Sequence, residues 1–492
     1  MTVAWGKISA GEVLDGIDGT WISGNRQTTL TGISTDSRTL AEGDLFLPLN
    51  GDRYEGHDFI PEAIQHGAAG IVVQNDWLNS KYRDEYPDPF AFEFRDSQSV
   101  IRRPSVIAVE DTLKALGDLA GWWRRQHNVK VVAVTGSSGK TTTKEMTANI
   151  LGPENRTLKT QGNFNNLVGL PLTLMRLSPG HQKAVLEMGM NHPGEIARLT
   201  EIADPNIGVI TNIGMAHLEG VGDIDGVVRA KVELIEKISP KGRVVINGDD
   251  GRLLRAASVF QKDMTTFGLG RENDVRAHRI LDSGRKGVSF DLQYQDKAWP
   301  VELKVPGLQN IFNALAAAAA VLCLNEPAER IVEGLARFKG VKGRFMVNFL
   351  PGNIILVDDT YNANPLSLKA TLESAGLMID EGSRIIMGLG EMMEMGDEVI
   401  PAHEEAGRMV AGSRVDYFLA MGEHARDMVK GAVESGMSPA CAGIVESHDE
   451  MTRKISQEIR EGDLIIVKGS RKMAMENVVD DLQSAFGGVK EP

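Results

Sequence analysis

The sequence predicts an α/β protein of three domains: a small N-terminal α/β domain over 1–110, a central parallel-sheet domain over 111–344 and a C-terminal Rossmann-like α/β domain over 345–492. Three observations carry this. A chain of 492 residues is too long for one ordinary core, and domains of roughly 100 to 200 residues suggest about three. Short apolar, β-branched runs alternate with helix-periodic stretches, which is the pattern of α/β layers. In the middle of the chain one such run passes through a glycine-rich loop directly into a helix.

Taken in order, the first 110 residues read as short strands and turns, such as Asp44-Leu45-Phe46-Leu47-Pro48-Leu49-Asn50-Gly51, then a helix over 60–66 and a strand at Gly70-Ile71-Val72-Val73. Residues 75–103 are polar and aromatic with weak periodicity and are expected to hold loops, ending at the strand Val106-Ile107-Ala108-Val109. The central domain opens with a helical pattern over 112–127. A β-branched strand over 129–135, the glycine loop and a helix over 142–151 follow. Further strands are expected at 184–186, 207–210 and 244–246 in a mostly parallel sheet covered on both faces. Beyond Arg344, the runs 354–357, 385–387, 417–420 and 464–467 alternate with helical stretches, which is a second doubly wound arrangement.

Composition narrows the function. Apolar residues make up 42% and charged residues 24%, with a net charge of -14. This is a globular profile without the basic stripes that nucleic acid or anionic membrane would call for. Cys323 and Cys441 are far apart and have no metal-ligand spacing. The first residues lack a long apolar segment, and the Ala-rich run 314–324 is too short to span a bilayer. The expectation is a cytoplasmic monomer that neither inserts in a membrane nor binds nucleic acid.

The loop Val134-Thr135-Gly136-Ser137-Ser138-Gly139-Lys140-Thr141-Thr142 carries the strongest chemical signal. Gly136 and Gly139 let the backbone curl around phosphate oxygens, the helix start points amides at them, and Lys140 adds a full positive charge. Thr141 is placed to offer a hydroxyl to Mg2+. The spacing is G-x-x-G-K-T, shorter than the common G-x-x-x-x-G-K-[ST]. ATP is the expected ligand, and the bland alternative is a Gly/Ser turn with a solvated lysine.

Three further residues stand out. Glu187 ends the strand Ala184-Val185-Leu186 and should project from the carboxyl end of the sheet, where ligands of open α/β sheets bind; an ordinary loop carboxylate is the alternative. His217 follows the strand at 207–211, and by itself reads as structural. Lys231 shares a helical face with Ile224, Val227, Val228, Leu234, Ile235 and Ile238. A lysine in such a stripe snorkels, pairs with an acid, or has its pKa lowered enough to be modified.

In the last domain, Val357-Asp358-Asp359-Thr360-Tyr361-Asn362-Ala363-Asn364-Pro365 sets a dense group of hydrogen-bonding side chains after a strand, which suits a small polar substrate. Met387-Gly388-Leu389-Gly390-Glu391-Met392-Met393 imitates a dinucleotide fingerprint, but Met393 stands where the third glycine belongs. NAD is therefore discounted. The cluster Met392, Met393 and Met395 reads as packing, and His403-Glu404-Glu405 as a solvated helix face.

Together these segments resemble the Mur ligases, ATP-dependent amide-forming enzymes of peptidoglycan precursor synthesis, over nearly the whole chain. The short loop, Glu187, the His217 segment, Lys231 and Gly343-Arg344-Phe345 occur in the family's order. Gly162-Asn163-Phe164-Asn165-Asn166-Leu167-Val168-Gly169-Leu170-Pro171, Leu186-Glu187-Met188-Gly189-Met190 and the 358–365 segment are similar to the members that add D-alanyl-D-alanine to UDP-N-acetylmuramoyl-tripeptide. Ser34-Thr35-Asp36-Ser37-Arg38 is similar to the family's uridine-nucleotide segment.

The resemblance implies a central ATPase domain and an acyl-phosphate route. ATP would be held by Gly136, Ser137, Ser138, Gly139, Lys140, Thr141 and Thr142, with Asn310, Arg344 and Asp359. Mg2+ would be held by Thr141, Glu187, His217 and Lys231, the last carbamylated. It implies UDP-MurNAc-tripeptide binding through Ser34, Asp36, Ser37, Arg38, Asn163, Asn165 and Asn166, and the dipeptide at Asn362, Asn364 and Ser470. Lys140, Glu187, His217 and Lys231 would be the catalytic set. The rival readings are the ligase adding the third amino acid, a folylpolyglutamate synthetase, and a nucleotide-hydrolysing switch.

Overall fold

The computed structural model describes residues 3–51, 54–80, 94–95, 101–153, 156–282, 284–379 and 382–487. Part of the 75–103 stretch expected to hold loops lies outside these. Its first residues form the short helix Asn75–Ser80. Among the described residues the main strands fall in 3–109, 130–303 and 346–468, the first and last groups each forming a six-stranded sheet. By internal contacts the chain divides into two compact units. One comprises Met1–Ala133, Glu154–Met188 and Ala197–Asn206, and the other Val134–Pro153, Gly189–Ile196 and Ile207–Pro492.

In the first unit the N-terminal sheet runs Val3–Ser9, Thr29–Ser34, Leu45–Phe46, Gly70–Gln74, Ser105–Val109, Gly19–Ser23. Its inner pairs are parallel and its outer pairs antiparallel. The strand expected around 44–51 is only Leu45–Phe46, because Pro48 has no amide to give a ladder. The helix Thr112–Arg125 starts where the Asp111 side chain accepts the Lys114 amide at 2.9 Å. This unit also holds the parallel pair Thr157–Lys159 and Lys183–Glu187.

The second unit carries Ile207–Ile210, Arg243–Asn247, Asp263–Gly268 and Val275–Asp282, which pair parallel in that order. The expected parallel sheet is then extended by an antiparallel meander through Val288–Tyr294 and Lys297–Leu303, which had not been anticipated. Val288, Phe290 and Leu292 are buried while the residues between them are not, the alternation of a strand with one covered face.

The C-terminal sheet has the order Met346–Leu350, Ile354–Asp359, Leu464–Lys468, Ile385–Gly390, Val415–Met421, Ala442–Val445, antiparallel in its first pair and parallel beyond. Leu356, Ile386, Leu419, Ile465 and Val478 are fully buried in one cluster, each contributing about 1.5–3 kcal/mol by removal from water. The pseudo-fingerprint glycines lie in a buried strand: a Cβ on Gly388 would stand 2.7 Å from Met451 Sδ. They admit close packing, and no phosphate loop is formed there. Among the described residues no helix is long and apolar enough to cross a membrane.

Candidate active site

The strand Lys130–Thr135 hands the chain to a loop that only glycine can form at two places. Gly136 has φ 141° and Gly139 φ 77°. A Cβ on the first would lie 1.9 Å from Thr211 Oγ1, and on the second 2.3 Å from Asn313 Oδ1. Neighbouring segments hold the curl: the Asn212 carbonyl accepts the Ser137 amide at 3.1 Å and Asn212 Oδ1 accepts the Ser138 amide at 2.9 Å. Ser137 Oγ donates to the Gly214 carbonyl at 2.9 Å. The helix Lys140–Leu151 has no side chain capping its N-terminus, so its first amides remain available to an anion. Lys140 Nζ donates to the Gly136 carbonyl at 2.8 Å, arching back over the loop where phosphate oxygens would sit.

This loop opens on a cavity of about 720 Å³ whose lining includes Ser138, Gly139, Thr141, Thr142, Asn310, Arg344, Asp359 and Asn362. Four segments distant in sequence thus meet, and all eight are residues that the sequence had singled out. Arg344 stacks 3.8 Å over the Tyr361 ring, and its Nη2 donates to Thr141 Oγ1 at 3.1 Å. Its Nε is buried with no hydrogen-bond partner among the described residues, and a buried donor left unpaired is costly. Asn310 is 5% exposed and gives Nδ2 to the Pro306 carbonyl at 2.7 Å.

Asp359 is occupied on both oxygens. Oδ1 accepts the Phe345 amide at 3.1 Å, and Oδ2 accepts Thr371 Oγ1 and Lys468 Nζ, each at 2.6 Å. Lys468, which lines the same cavity, was not anticipated. Burial pushes its amine pKa down, while Asp359 pulls it back up. Its Nζ also donates to the Asn362 carbonyl at 3.1 Å. Asn364 caps the helix Pro365–Met378 in a reciprocal box with Ser367, so its side chain has an architectural task. Ser470, 1% exposed, accepts the Met393 amide on Oγ at 2.8 Å.

Glu187 is 2% exposed and accepts Asn165 Nδ2 at 2.9 Å on Oε1. Its Oε2 is buried with no hydrogen-bond partner among the described residues. Asn166 Oδ1 accepts the Val168 and Gly169 amides at 3.2 and 2.8 Å, fixing the turn that carries Asn165, while Asn163 is exposed beside it. In the N-terminal domain Ser34 and Ser37 are buried. Arg38 is 80% exposed and pairs with Asp36 at 2.8 Å, holding that carboxyl at about 2 through the shared hydrogen bond.

Lys231 is 0% exposed on the helix Ile224–Lys237, so it does not snorkel. His217, at the left-handed φ of 58°, sets Nδ1 2.6 Å from Glu394 Oε2. Burial lowers its pKa; Glu394 opposes this, and the nearby charges of Lys140 and Lys231 add to it. The downward shift favours the neutral ring, the form that can ligate a metal. His403, expected on a solvated face, is fully buried: Nε2 accepts the Met392 amide at 3.0 Å and Nδ1 lies 2.6 Å from the Val399 carbonyl. It locks the turn after Gly390. Met392 and Met395 are buried as expected of packing residues. The residues sequence reasoning missed, Asn212, Asn313, Lys468 and Glu394, act through contacts 74 or more positions away in the chain.

Comparison with known proteins agrees in order along the chain. The Mur ligase family catalytic domain matches residues 29–123, the Mur ligase middle domain 134–321, and the Mur ligase glutamate ligase domain 343–471. The UDP-N-acetylmuramoyl-tripeptide–D-alanyl-D-alanine ligase of Bacillus subtilis (strain 168) is 33% identical, over 93% of this chain and 94% of that protein. The Escherichia coli (strain K12) ligase of the same name is 35% identical over 92% and 94%. MurF of Acinetobacter baumannii superposes with a TM-score of 0.84 at 33% identity, covering 98% of this chain and all of that one. The MurF ligase of Thermotoga maritima in complex with ADP gives 0.79 at 27%, covering 92% and 97%. With relatives above 30% identity along more than nine-tenths of its length, the chain belongs to the Mur ligase family.

Proposed function

We propose that this chain is an ATP-dependent ligase that joins D-alanyl-D-alanine to UDP-N-acetylmuramoyl-tripeptide through an acyl phosphate, releasing ADP and phosphate. The observation that carries the reading is the single cavity onto which the phosphate loop, Arg344 and the 359–362 segment all open. A carboxylate is a poor electrophile. Its oxygen attacks the γ-phosphorus of ATP, the bond to ADP breaks, and the acyl phosphate forms. The dipeptide amine then attacks the acyl carbon, loses a proton, and inorganic phosphate leaves with the carbon–oxygen electron pair.

Such transfers need charge neutralisation and alignment more than covalent help. In this reading residues 136–142 enclose the phosphates with backbone amides, and Lys140 turns from the Gly136 carbonyl to a phosphate oxygen. The unpartnered Nε of Arg344 supplies another donor. Asn310 and Asp359 support the nucleotide side, Asp359 by holding Lys468 and the 343–345 turn. Asn362, Asn364 and Ser470 shape the dipeptide side. Ser34, Asp36, Ser37, Arg38, Asn163, Asn165 and Asn166 hold the UDP-substrate.

Thr141, Glu187, His217 and a carbamylated Lys231 would hold Mg2+. The orphaned buried Oε2 of Glu187 is the oxygen donor a hard cation prefers, and His217 would add a nitrogen at the edge of the site. When bound, the ion neutralises phosphate charge and orients the oxygens. Full burial of Lys231 supports carbamylation, since a neutral amine is the form that reacts with CO2 and burial favours it. We assign the domains as 1–110 for the UDP-substrate, 111–344 for ATP, and 345–492 for the dipeptide and for closure on ATP. Dependence on ATP and the free thiols Cys323 and Cys441 support a cytoplasmic location.

The test is phosphate release with UDP-MurNAc-tripeptide, ATP and D-Ala-D-Ala, omitting each in turn. All three should be required. Release with a single amino acid but none with the dipeptide, or turnover of ATP alone at the full rate, would overturn the assignment.

A further inference from the structure

The contact between His217 and Glu394 is the one part of the site that the reaction as proposed leaves unexplained. Glu394 lies far along the chain, in the turn after the buried strand Ile385–Gly390, yet its Oε2 stands 2.6 Å from His217 Nδ1. Both residues are non-glycine positions with left-handed backbone, φ 58° at His217 and φ 65° at Glu394. Such conformations persist only where the surroundings over-determine them. The surroundings here do so on both sides: the Glu394 carbonyl accepts the Glu219 amide at 3.4 Å, and a Cβ on Gly396 would meet Glu219 at 3.4 Å. The turn carrying Glu394 is thus seated on the segment that begins at His217.

We propose that Glu394 is a positioning residue that orients His217 toward the metal and ties the C-terminal domain to the catalytic set. At 2.6 Å the contact is of ion-pair length but is not aligned as a hydrogen bond, and Nδ1 has no hydrogen-bond partner among the described residues; a small turn of the ring or carboxylate makes Nδ1 the donor, because a carboxylate only accepts. The lone pair is left on Nε2, the nitrogen free to ligate. Carboxylate partners of this kind fix the tautomer and the ring plane of metal-bound histidines and raise their basicity. Because the carboxylate comes from the C-terminal domain, the ring is held in its ligating pose only while that domain is seated. The inference rests on His217 being a metal ligand, as proposed above, and goes beyond it by naming the residue that sets the ring.

The experiment titrates Mn2+ against the full-length protein with ADP, following the free-ion electron paramagnetic resonance signal, for the parent, Glu394→Ala, Glu394→Gln and His217→Ala. Glu394→Ala should weaken Mn2+ binding about 10- to 100-fold, the usual cost of losing an outer-shell partner. Glu394→Gln keeps an acceptor oxygen and should recover most of that loss. Thermal midpoints should stay close to the parent, because Glu394 is 46% exposed. The kcat for ligation should fall with little change in KM for D-Ala-D-Ala. If His217→Ala weakens Mn2+ binding but Glu394→Ala leaves it within about twofold, the positioning role is overturned and the metal assignment survives. If neither variant changes binding, both are overturned. Tighter binding in Glu394→Ala would mean that the carboxylate competes for the ring, which also refutes the proposal.

Discussion

Replacing Asp359 by Asn should destabilise the C-terminal domain by about 3–4 kcal/mol, and removing its partner as well should restore most of that. Asp359 and Lys468 are register partners on adjacent parallel strands, 2.6 Å apart, with side-chain exposures of 11% and 1%. At that distance and an effective dielectric near 20, the attraction is about 6 kcal/mol before desolvation of the two ions is subtracted. Asparagine leaves a buried ammonium facing an amide. The lysine can then shed its proton, and bringing an amine of ordinary pKa near 10.4 to neutrality at pH 7.4 costs about 4 kcal/mol, which sets the ceiling. Lys468→Met should cost about 1–3 kcal/mol, since Asp359 keeps Thr371 Oγ1 and the Phe345 amide. The double variant should resemble Lys468→Met, giving a coupling of about 2 kcal/mol or more. A chain of several domains need not unfold in one step. Hydrogen exchange in Ile354–Asp359 and Leu464–Lys468, together with urea melts, therefore localises the effect. Strictly additive single variants would refute the reasoning.

Four shorter tests bear on the site. Gly139→Ala places a Cβ 2.3 Å from Asn313 Oδ1 at φ 77°; calorimetry should show ADP affinity at least about tenfold weaker, allowing about 1–2 kcal/mol for the backbone conformation alone, and Asn313→Ala in the same chain should restore only the steric part. Lys140→Ala should abolish ligation with an unchanged circular dichroism spectrum, and full activity would remove the loop from the mechanism. Lys231→Ala should lose activity that short carboxylic acids partly return; a loss with no rescue counts against the carbamate. Arg38→Ala should raise KM for the UDP-substrate about tenfold or more with kcat kept, the loss expected of a group that binds ground and transition states alike. Its stability effect follows the depressed pKa of Asp36. The contribution is complete above about pH 4 and lost as the pH falls through about 2, so melts of parent and variant should converge in acid.

How far the site was legible depended on whether a residue's task was set by its neighbours in sequence. The conformation of the glycine-rich loop was plain because two positive-φ glycines and a lysine at a helix start are local requirements. Lys231 stood out because an ionisable group in an apolar stripe is a local contradiction. The meander over 275–303 had a local signal too, the alternation of Val288, Phe290 and Leu292, but one set of short polar-apolar strands did not fit the expected parallel pattern. His403 misled because two acids follow it: Glu404 and Glu405 do reach solvent, while the histidine one step round the helix faces the core.

Lys468 shows the limit more sharply. The strands Ile354–Asp359 and Leu464–Lys468 each end in a charge after an apolar run, and at the carboxyl edge of a parallel sheet opposite charges in register would pair at once. The obstacle is strand order: Leu464–Lys468 lies between Ile354–Asp359 and Ile385–Gly390, so the last strand in sequence separates two that follow one another. Neighbour relations of that kind are decided by which crossover buries the most apolar surface across the whole sheet, and no window of the sequence contains them. The same insertion brings Ser470 beside the turn after Gly390, where its hydroxyl accepts the Met393 amide, and so helps to fix the turn from which Glu394 reaches His217. The reach of Glu394 to His217 is therefore a property of topology, carried by side chains whose purpose their own surroundings in the sequence do not disclose.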